Sequence, residues 1–445
     1  MSFGLRLVGL LRFARRVRPW GLAVAAAICL ASTAASGSDA ATTAAALAQI
    51  PLVGGVTDTS AVLVVRTSKP ATVVVHYGIG VLDAATAPVV TRSSHDDAAH
   101  IALADLLPET TYSYAVEINH AVDARIFSFT TFPSSTQERS FTFVAFADQD
   151  TPRPAPAYAV GVGESPAFVI QLGDLTHKAV APKGTKLKVD DWWRLNLSTT
   201  ASTPAGASFS SAIAGSFPFV HIWDDHDYGD SDGDRTFKYR SLAMRAFKDD
   251  FPTYPLSSPS QGFWQRFRYA QAEVFVLDLR SARDPDKWTD NGKKSMLGAT
   301  QKAWLLDGLR TSTATWKFIV SSSVWNPHSK QVDSWALYKH EQDEIVDFIR
   351  TNSITGVIFM SGDIHSAGAI DNGTNSYFPE ISVPNTNTQS TTCTGGGGCG
   401  TWSEGYTVGA EYDGYAAFYV TPDSVTLEAK GSNGEIRHIL TVVKS

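Results

Sequence analysis

The chain has 445 residues, of which 43% are hydrophobic and 11% aromatic, and its formal net charge at pH 7 is −7. This length and composition are ordinary for a soluble globular protein with two or three domains and a large core. The negative charge argues against nucleic acid as a stable partner and against an anionic membrane surface.

Residues 1–35 have the features of a cleaved signal peptide. Five arginines precede the short apolar run "PWGLAVAAAICLASTAA", which ends in small residues. The run is shorter than the roughly 20 apolar residues that a membrane span needs. We therefore predict a secreted, periplasmic or extracellular protein, without an integral membrane span in the mature chain. Loss of the five arginines would move the net charge from −7 to −12.

A small all-β domain is predicted next. Residues 36–49 are a low-complexity linker rich in Ala, Thr and Ser, and residues 50–133 contain short β-rich runs separated by turn residues. Because no helical pattern lies between these runs, we predict a β-sandwich. The runs are "AVLVVRT", "ATVVVHY", "TYSYAVEI" and "RIFSFTTF".

The pattern changes in residues 138–445. Nearly continuous apolar runs such as "FTFVAFAD", "FVIQLGD", "FVHIWDD" and "GVIFMSGDIH" alternate with helix-compatible stretches. Continuous runs of this kind are typical of strands covered on both faces. They predict a layered α/β domain.

Polar side chains follow four of these runs. In "ADQD", "GDLTH", "WDDHD" and "GDIH", an aspartate stands within three residues of a histidine or a second aspartate. A single such aspartate is usually a helix cap, but functional groups collect at the carboxyl ends of strands in layered α/β folds. If the strands are neighbours, the four ends converge. The candidate metal ligands are Asp148, Asp150, Asp174, His177, Asp225, Asp363 and His365.

Converging buried carboxylates require positive charge among them, because each unpaired buried charge costs several kcal/mol. Carboxylate oxygens and imidazole nitrogens suit Ca, Fe, Mn or Zn. We therefore predict two divalent or trivalent metal ions. Two such ions can clamp a phosphate group and generate hydroxide from water.

The order of the motifs resembles the calcineurin-like metallophosphoesterases, and within them the alkaline phosphatase D (PhoD) family. "QLGDLTH", "WDDHDYGDSD", "MLGATQKAWLLDGL" and "SGDIHSAG" are similar to successive blocks of that family. "VGGVTDTSAVLVVRTSKPATVVVHYG" is similar to its N-terminal fibronectin-III-like sandwich. The resemblance implies a four-layer α-β-β-α sandwich over residues 138–445, preceded by the small β-sandwich.

The resemblance also implies roles for individual residues. Asp174 would bridge the two metals, and Asp225 would take the position of the usual metal-binding asparagine. His226 would face the leaving group as general acid. Asp363 and His365 would replace two histidines of the wider superfamily.

The sequence departs from the family pattern at several ligand positions. Asp148 stands where the family usually has cysteine, and His177 stands where it usually has tyrosine. The family's iron and calcium therefore do not transfer directly to this chain. For the superfamily's additional histidine, Asn326 and His328 are the candidates.

These patterns predict a secreted metal-dependent phosphoesterase that acts on small phosphate mono- or diesters. A metal-held hydroxide would attack phosphorus and His226 would protonate the leaving group, with its imidazole oriented by Asp227 or Asp224. Arg280 is either a phosphate contact or an ordinary strand-end salt bridge. The alternative function is a cell-surface binding protein with a structural calcium site. Calcium-only sites rarely need histidine, which favours the enzyme.

Two cysteines remain after the signal segment. Cys393 and Cys399 bracket five flexible residues in "CTGGGGC". In an exported chain this spacing predicts a small-loop disulfide.

Overall fold

The structure is a computed structural model that describes residues 44–149, 154–175, 208–229, 231–388, 399–404 and 413–444. The predicted signal peptide and residues 36–43 of the predicted linker lie outside these ranges. Residues 45–445 form one compact unit. Within the described ranges, no helix has the length and apolar character needed to cross a membrane.

The first part of the chain forms two small sheets. One has the strand order β1-β2-β6, and the other has the order β4-β3-β7-β8, with β5 paired to β3 and β9 paired to β7. Their pairings are antiparallel, as expected for alternating β-rich runs joined by turns. That this part is fibronectin-III-like stays a prediction. The strands are β1 (Leu52–Gly54), β2 (Ala61–Arg66), β3 (Thr72–Gly78), β4 (Ala84–Ala85), β5 (Val89–Val90), β6 (Ala98–Leu103), β7 (Thr111–Ile118), β8 (Ala121–Val122) and β9 (Phe127–Thr130).

These two sheets share a hydrophobic core with the rest of the protein. Phe132 packs against Phe168 and Phe267, with ring centroids 5.8 and 6.1 Å apart. Tyr254 donates its hydroxyl hydrogen bond to the carbonyl oxygen of Val56 at 2.8 Å. The all-β segment is therefore fixed to the α/β segment by buried contacts.

The rest of the chain forms two six-stranded mixed sheets, which confirms the predicted mixed α/β class. The first has the order β12-β11-β10-β19-β20-β21, and the second has the order β13-β14-β15-β16-β18-β17. Strands β10, β11 and β12 are parallel neighbours, and so are β14, β15 and β16. The bounds are β10 (Phe141–Phe146), β11 (Val169–Gln171), β12 (Phe219–His221), β13 (Gln265–Tyr269), β14 (Ala272–Val276), β15 (Trp316–Ser321), β16 (Val357–Ser361), β17 (Ala369–Asn372), β18 (Pro379–Ser382), β19 (Gly414–Val420), β20 (Ser424–Gly431) and β21 (Ile436–Val443).

The two large sheets pack face to face through aromatic side chains. The ring of Phe143 on β10 lies 5.0 Å from that of Phe318 on β15 and 4.3 Å from that of Phe418 on β19. Tyr158, in the first helix, packs on Phe146 at the other face of β10. The helices are α1 (Pro156–Val162), α2 (Phe209–Ala212), α3 (Asp225–Tyr228), α4 (Arg240–Asp250), α5 (Gly298–Thr311) and α6 (Lys339–Thr351), with 3₁₀ turns at Ser93–His95 and Trp335–Tyr338.

Helices α5 and α6 cover the second sheet with a separate apolar cluster. It includes Leu305, Leu309 and Ile345 from the helices, and Ile319 and Phe359 from the strands. Since both faces of β15 and β16 are covered, their near-continuous hydrophobic sequences are explained. The parallel strands are thereby held with their carboxyl ends at one edge.

A buried carboxyl group in this sheet makes stability depend on pH. Glu380 on β18 is fully buried and accepts hydrogen bonds from the hydroxyl of Ser361 at 2.6 Å and the backbone N–H of Trp325 at 3.1 Å. Burial raises its pKa to about 8 despite these bonds. The stability that Glu380 contributes is therefore fully present below its unfolded pKa of about 4.3, and it is lost as the pH rises through the folded pKa.

Glu380→Gln should remove this loss. Between pH 5 and pH 8, the free energy of unfolding of the unsubstituted protein should fall relative to the variant by on the order of 3 kcal/mol, since each pH unit contributes up to about 1.4 kcal/mol. Urea unfolding at the two pH values measures the difference. The exposed Glu344→Gln substitution is the control and should leave the pH dependence unchanged. Parallel pH profiles for the Glu380 variant and the unsubstituted protein would contradict the assignment.

Candidate metal centre

The carboxyl ends of the parallel strands from both large sheets meet at one place. Gln149, after β10, donates its backbone N–H to the carbonyl oxygen of Asp174, after β11, at 2.7 Å. The backbone N–H of Asp363, after β16, donates to Oδ2 of Asp148 at 3.3 Å. Ser322, after β15, donates its hydroxyl to Oδ1 of Asp224 at 2.8 Å. Loops that are far apart in sequence are thus joined directly.

Glycine permits the close approach of two of these loops. Gly173 has φ +103°, and a Cβ atom at this position would lie 2.6 Å from Cβ and 2.7 Å from the backbone nitrogen of Asp224. Any other residue would clash with the neighbouring loop as well as strain its own backbone. The glycine of "LGD" therefore lets Asp174 approach Asp224 and Asp225.

Four of the predicted ligands have left-handed backbone conformations. The φ angles are 56° at Asp148, 49° at Asp174, 61° at Asp363 and 55° at His365. Such angles are uncommon for residues other than glycine, although Asp, Asn and His tolerate them best. Residues held in sparsely populated conformations cluster at functional sites. The four left-handed residues lie close together, as expected for a site whose backbone geometry is fixed by its surroundings.

The side chains form three groupings in which the candidate ligand atoms lie within 4.8 Å of one another. Asp174 belongs to two of them, and therefore stands between a group with His365 and a group with His226. The groupings are Asp148, Asp174 and His365; Asp174, Asp225 and His226; and Asp224, Asp225 and Asp333.

The electrostatics of the first two groupings favour a bound cation. The pKa of Asp148 rises to about 8, because burial disfavours the carboxylate and the charge of Asp224 adds to that effect. Burial, and then repulsion from Asp225 and Asp224, raises the pKa of Asp174 well above its usual range. These groups either hold protons or are neutralised by positive charge. Metal binding should therefore release protons and strengthen as the pH rises.

Asp225 has the opposite shift. Burial alone would raise its pKa, but the charge of Arg280 and the backbone N–H of Asp232 favour the carboxylate, and the pKa lies below its usual range. Asp232 donates to Oδ2 of Asp225 at 2.7 Å, and His226 donates its backbone N–H to Oδ1 at 2.8 Å. Asp225 is therefore fixed as an anion at the centre.

Arg280 forms the salt bridge that was one of the two alternatives for it. Its side chain is fully buried. Nε donates to Oδ1 of Asp224 at 2.7 Å, while Nη1 and Nη2 donate to the two carboxylate oxygens of Asp333 at 2.7 and 2.8 Å. Arg283 also reaches Asp333, at 2.7 Å. The guanidinium groups of Arg280 and Arg283 thus neutralise the third grouping. Arg280 lies beneath the centre, where its side chain is not accessible to a substrate phosphate.

Asp227 connects two backbone segments of the centre. Its Oδ1 accepts the backbone N–H of Leu175 at 3.0 Å, and its Oδ2 accepts the backbone N–H of Asp224 at 3.1 Å. Neighbouring positions of a helix do not face each other, which disfavours an orienting contact with the imidazole of His226. Asp227 thus joins the loop of Asp174 to the start of α3, and orientation of the His226 imidazole by Asp227 or Asp224 stays a prediction.

Asp363 and His365 both lie at the centre, but their side chains have different neighbours. Nε2 of His365 lies 3.8 Å from Oδ1 of Asp148 and 3.9 Å from Oδ1 of Asp363. The other oxygen of Asp363 accepts a hydrogen bond from Nζ of Lys330 at 2.5 Å. In the described structure, a lysine therefore neutralises part of the charge of Asp363.

Sequence reasoning missed Lys330 and Asp333. They stand in "HSKQVDSW", a polar loop after β15, and nothing in its local pattern distinguishes them from solvated residues. The two candidates nearby have other contacts: Asn326 donates its side-chain N–H to the carbonyl oxygen of Thr401 at 2.8 Å and accepts the backbone N–H of His328 at 2.9 Å. His328 is in no ligand grouping of the described residues.

Three sequence-predicted residues lie outside the described ranges: Asp150, His177 and Cys393. Cys399 is described and buried. The ligand roles of Asp150 and His177, and the disulfide, stay predictions.

The donor set fits metal ions. Among the described residues, seven buried aspartates surround the centre, whereas the cationic side chains beside them are those of Arg280, Arg283 and Lys330. The donors are carboxylate oxygens and imidazole nitrogens, which suit Ca, Mn, Fe or Zn. The aspartates are Asp148, Asp174, Asp224, Asp225, Asp227, Asp333 and Asp363.

Comparison with known families agrees with this geometry. A sequence model of the PhoD-like phosphatases matches residues 156–392, more than half of the chain. The chain belongs to the PhoD-like phosphatase family. A second model, for a domain of unknown function (DUF7800), matches residues 44–135. The resemblance to PhoD proposed from the motifs is confirmed.

Relatives of this PhoD-like chain include a curated enzyme and two solved structures. Alkaline phosphatase D of Bacillus subtilis (strain 168) is 25% identical over 190 residues, which cover 36% of this chain. The match spans 33% of the length of that relative. A structure of PhoD has a TM-score of 0.71 at 17% identity and covers 91% of each chain. Purple acid phosphatase PPD1 from yellow lupin (Lupinus luteus) seeds has a TM-score of 0.58 at 12% identity, covering 90% of this chain and 74% of its own. The structural likenesses concern the fold.

Proposed function

We propose that this protein is an exported, metal-dependent phosphoesterase that hydrolyses small phosphate mono- or diesters. The observation that carries the proposal is the position of Asp174, which is shared by two groupings of oxygen and nitrogen ligands at the converging strand ends. A shared carboxylate is what a centre with two adjacent ions requires. Membership of the PhoD-like phosphatase family supports phosphate esters as the substrate class.

Two ion positions follow from the groupings. Asp148, Asp174 and His365 would hold one ion, and Asp174 and Asp225 would hold the other. Asp363, Asp150 and His177 would complete the ligand set. Ions bound in this way supply a nucleophile from water and neutralise phosphate charge.

His226 has two possible tasks at this centre. The sequence predicts a general acid that protonates the leaving oxygen, but its ring nitrogen is also within 4.8 Å of ligand atoms of Asp174 and Asp225. Its backbone N–H donates to Oδ1 of Asp174 at 3.2 Å, so the main chain next to the ring is held against the shared carboxylate. We propose the general acid role for His226, a residue that is partly buried.

His226→Ala separates these tasks. If His226 is the general acid, the variant should keep its metal content and lose about 10²- to 10⁴-fold in turnover. The loss should be smaller with a leaving group of low pKa, such as nitrophenol, than with an alkyl alcohol. Elemental analysis and rates on both esters measure the two effects. An unchanged turnover, or a variant depleted of metal, would contradict the acid role, and the exposed His95→Ala substitution is the matched control.

The proposed function is tested with the purified mature chain, stripped of metal and reloaded with Mn, Fe, Zn, Co or Ca separately. Hydrolysis of nitrophenyl phosphate and bis(nitrophenyl) phosphate should appear with at least one of these ions. The ratio of the two rates distinguishes monoesters from diesters as the preferred class. Calcium binding without activity under any of these ions would instead support the binding-protein alternative.

A further inference from the structure

Lys330 places a positive charge at the rim of the acidic centre. Its Nζ donates to Oδ2 of Asp363 at 2.5 Å and to the carbonyl oxygen of Asp363 at 3.1 Å. The side chain is 21% exposed, whereas that of Asp363 is 6% exposed. The lysine therefore reaches from the surface to the buried carboxylate.

The other cations beside the centre are not placed to meet a substrate. The side chains of Arg280 and Arg283 are fully buried in the described structure, and both are bound to Asp333. Arg280 was one candidate for contact with phosphate. Because Arg280 and Arg283 are buried beneath the aspartates, Lys330 is the partly exposed cation among those beside the centre in the described ranges.

The geometry of Lys330 suits that purpose. An ammonium group has three N–H donors, and the two bonds to Asp363 use two of them. His365, which belongs to one ligand grouping, is 20% exposed, and its Nε2 lies 3.9 Å from Oδ1 of Asp363, so Lys330 and the ligand atoms adjoin at Asp363. Asp363 fixes the flexible lysine side chain, so less conformational freedom is lost when a third hydrogen bond forms.

We infer that Lys330 is a substrate-binding residue whose third N–H donates to a non-bridging oxygen of the phosphate group at the metal centre. The inference rests on the proposed function for the location of the phosphate. It adds a specific side chain for recognition of phosphate, in place of Arg280. The contact is a hydrogen bond that forms when phosphate binds, and it involves no covalent step.

Lys330→Met tests this inference in the full mature chain. Inorganic phosphate, the product, is titrated into the metal-loaded protein by calorimetry, and metal content is measured in parallel. A charge-assisted hydrogen bond contributes about 1.5–3 kcal/mol, so the Kd for phosphate should rise about 10- to 150-fold while metal content is unchanged. KM for a nitrophenyl ester should rise more than kcat falls. Lys339→Met, which removes an exposed lysine of an i,i+4 pair, is the control and should change neither quantity.

Lys330→Arg is a second test, because arginine keeps the positive charge and the N–H donors. Its phosphate affinity should lie within about 10-fold of that of the unsubstituted protein. If Lys330→Met does not fold, the nitrogen resonance of the lysine ammonium in ¹⁵N-labelled unsubstituted protein decides, because phosphate should shift one signal that is absent from Lys330→Arg. Unchanged phosphate affinity, or loss of metal with Lys330→Met, would overturn the inference. A protein that hydrolyses no ester but still needs Lys330 for phosphate binding would refute the proposed function and support the phosphate contact.

Discussion

Asp174→Asn is expected to abolish metal binding at both positions and to remove phosphoesterase activity. Oxygen or nitrogen atoms of Asp148, His365, Asp225 and His226 lie within 4.8 Å of an Asp174 oxygen in one grouping or the other. The amide keeps the size of the side chain but cannot supply a negative charge to two ions. The loss in activity should exceed the roughly 10- to 100-fold effect that is usual for an outer hydrogen-bond partner of a metal ligand.

Elemental analysis after reloading, with rates on a nitrophenyl ester, measures this result. Asp105→Asn is a matched control, because Asp105 also has a left-handed backbone, with φ 56°, and is exposed in the all-β segment. It should keep full metal content and activity. An Asp174→Asn protein that retains both ions would remove the basis of the proposed two-metal centre.

Arg280→Met is expected to destabilise the protein by about 3–5 kcal/mol, because removal of one partner of a buried ion pair leaves an uncompensated charge. Here two carboxylates lose a partner. Asp224 and Asp333 are both buried, and each accepts hydrogen bonds from the guanidinium group. Methionine retains much of the apolar volume of the arginine side chain. The loss of the positive charge therefore accounts for most of the expected change in the free energy of unfolding.

Urea unfolding of metal-free protein gives the free energy difference without a contribution from bound ions. Arg310→Met is the control, since Arg310 forms an exposed i,i+3 pair with Asp307 and should contribute less than about 1 kcal/mol. Activity per folded molecule should also fall for Arg280→Met, because Asp224 adjoins Asp225, a proposed metal ligand. A stable variant with a raised KM and unchanged kcat would instead indicate the phosphate contact.

Much of the centre could be predicted from the sequence because its ligands directly follow apolar strands. Asp148, Asp174, Asp225 and Asp363 each come within four residues of a strand end. The apolar strand sequences were recognisable because a strand that is covered on both faces has few positions for polar residues. Parallel pairing then brings the strand ends to the same edge, as in other layered α/β folds.

The partners of these ligands could not be predicted in the same way. Whether Arg280 faces substrate or forms a salt bridge depends on Asp333, 53 residues later in the chain. Lys330 and Asp333 lie in a polar loop, where charged residues are usually solvated. Asp227 contacts backbone groups, and the sequence gives no sign of which backbone N–H a carboxylate will accept.

The left-handed main chain at the candidate metal centre also restricts which side chains can stand at the candidate ligand positions. At Asp148, Asp174, Asp363 and His365, short polar side chains that tolerate such torsion angles are favoured, whereas branched or bulky replacements are penalised. The aspartates and the histidine at these positions offer oxygen and nitrogen donors, not sulfur. A centre built from these donors would favour hard and borderline cations over thiophilic ones such as Cu(I).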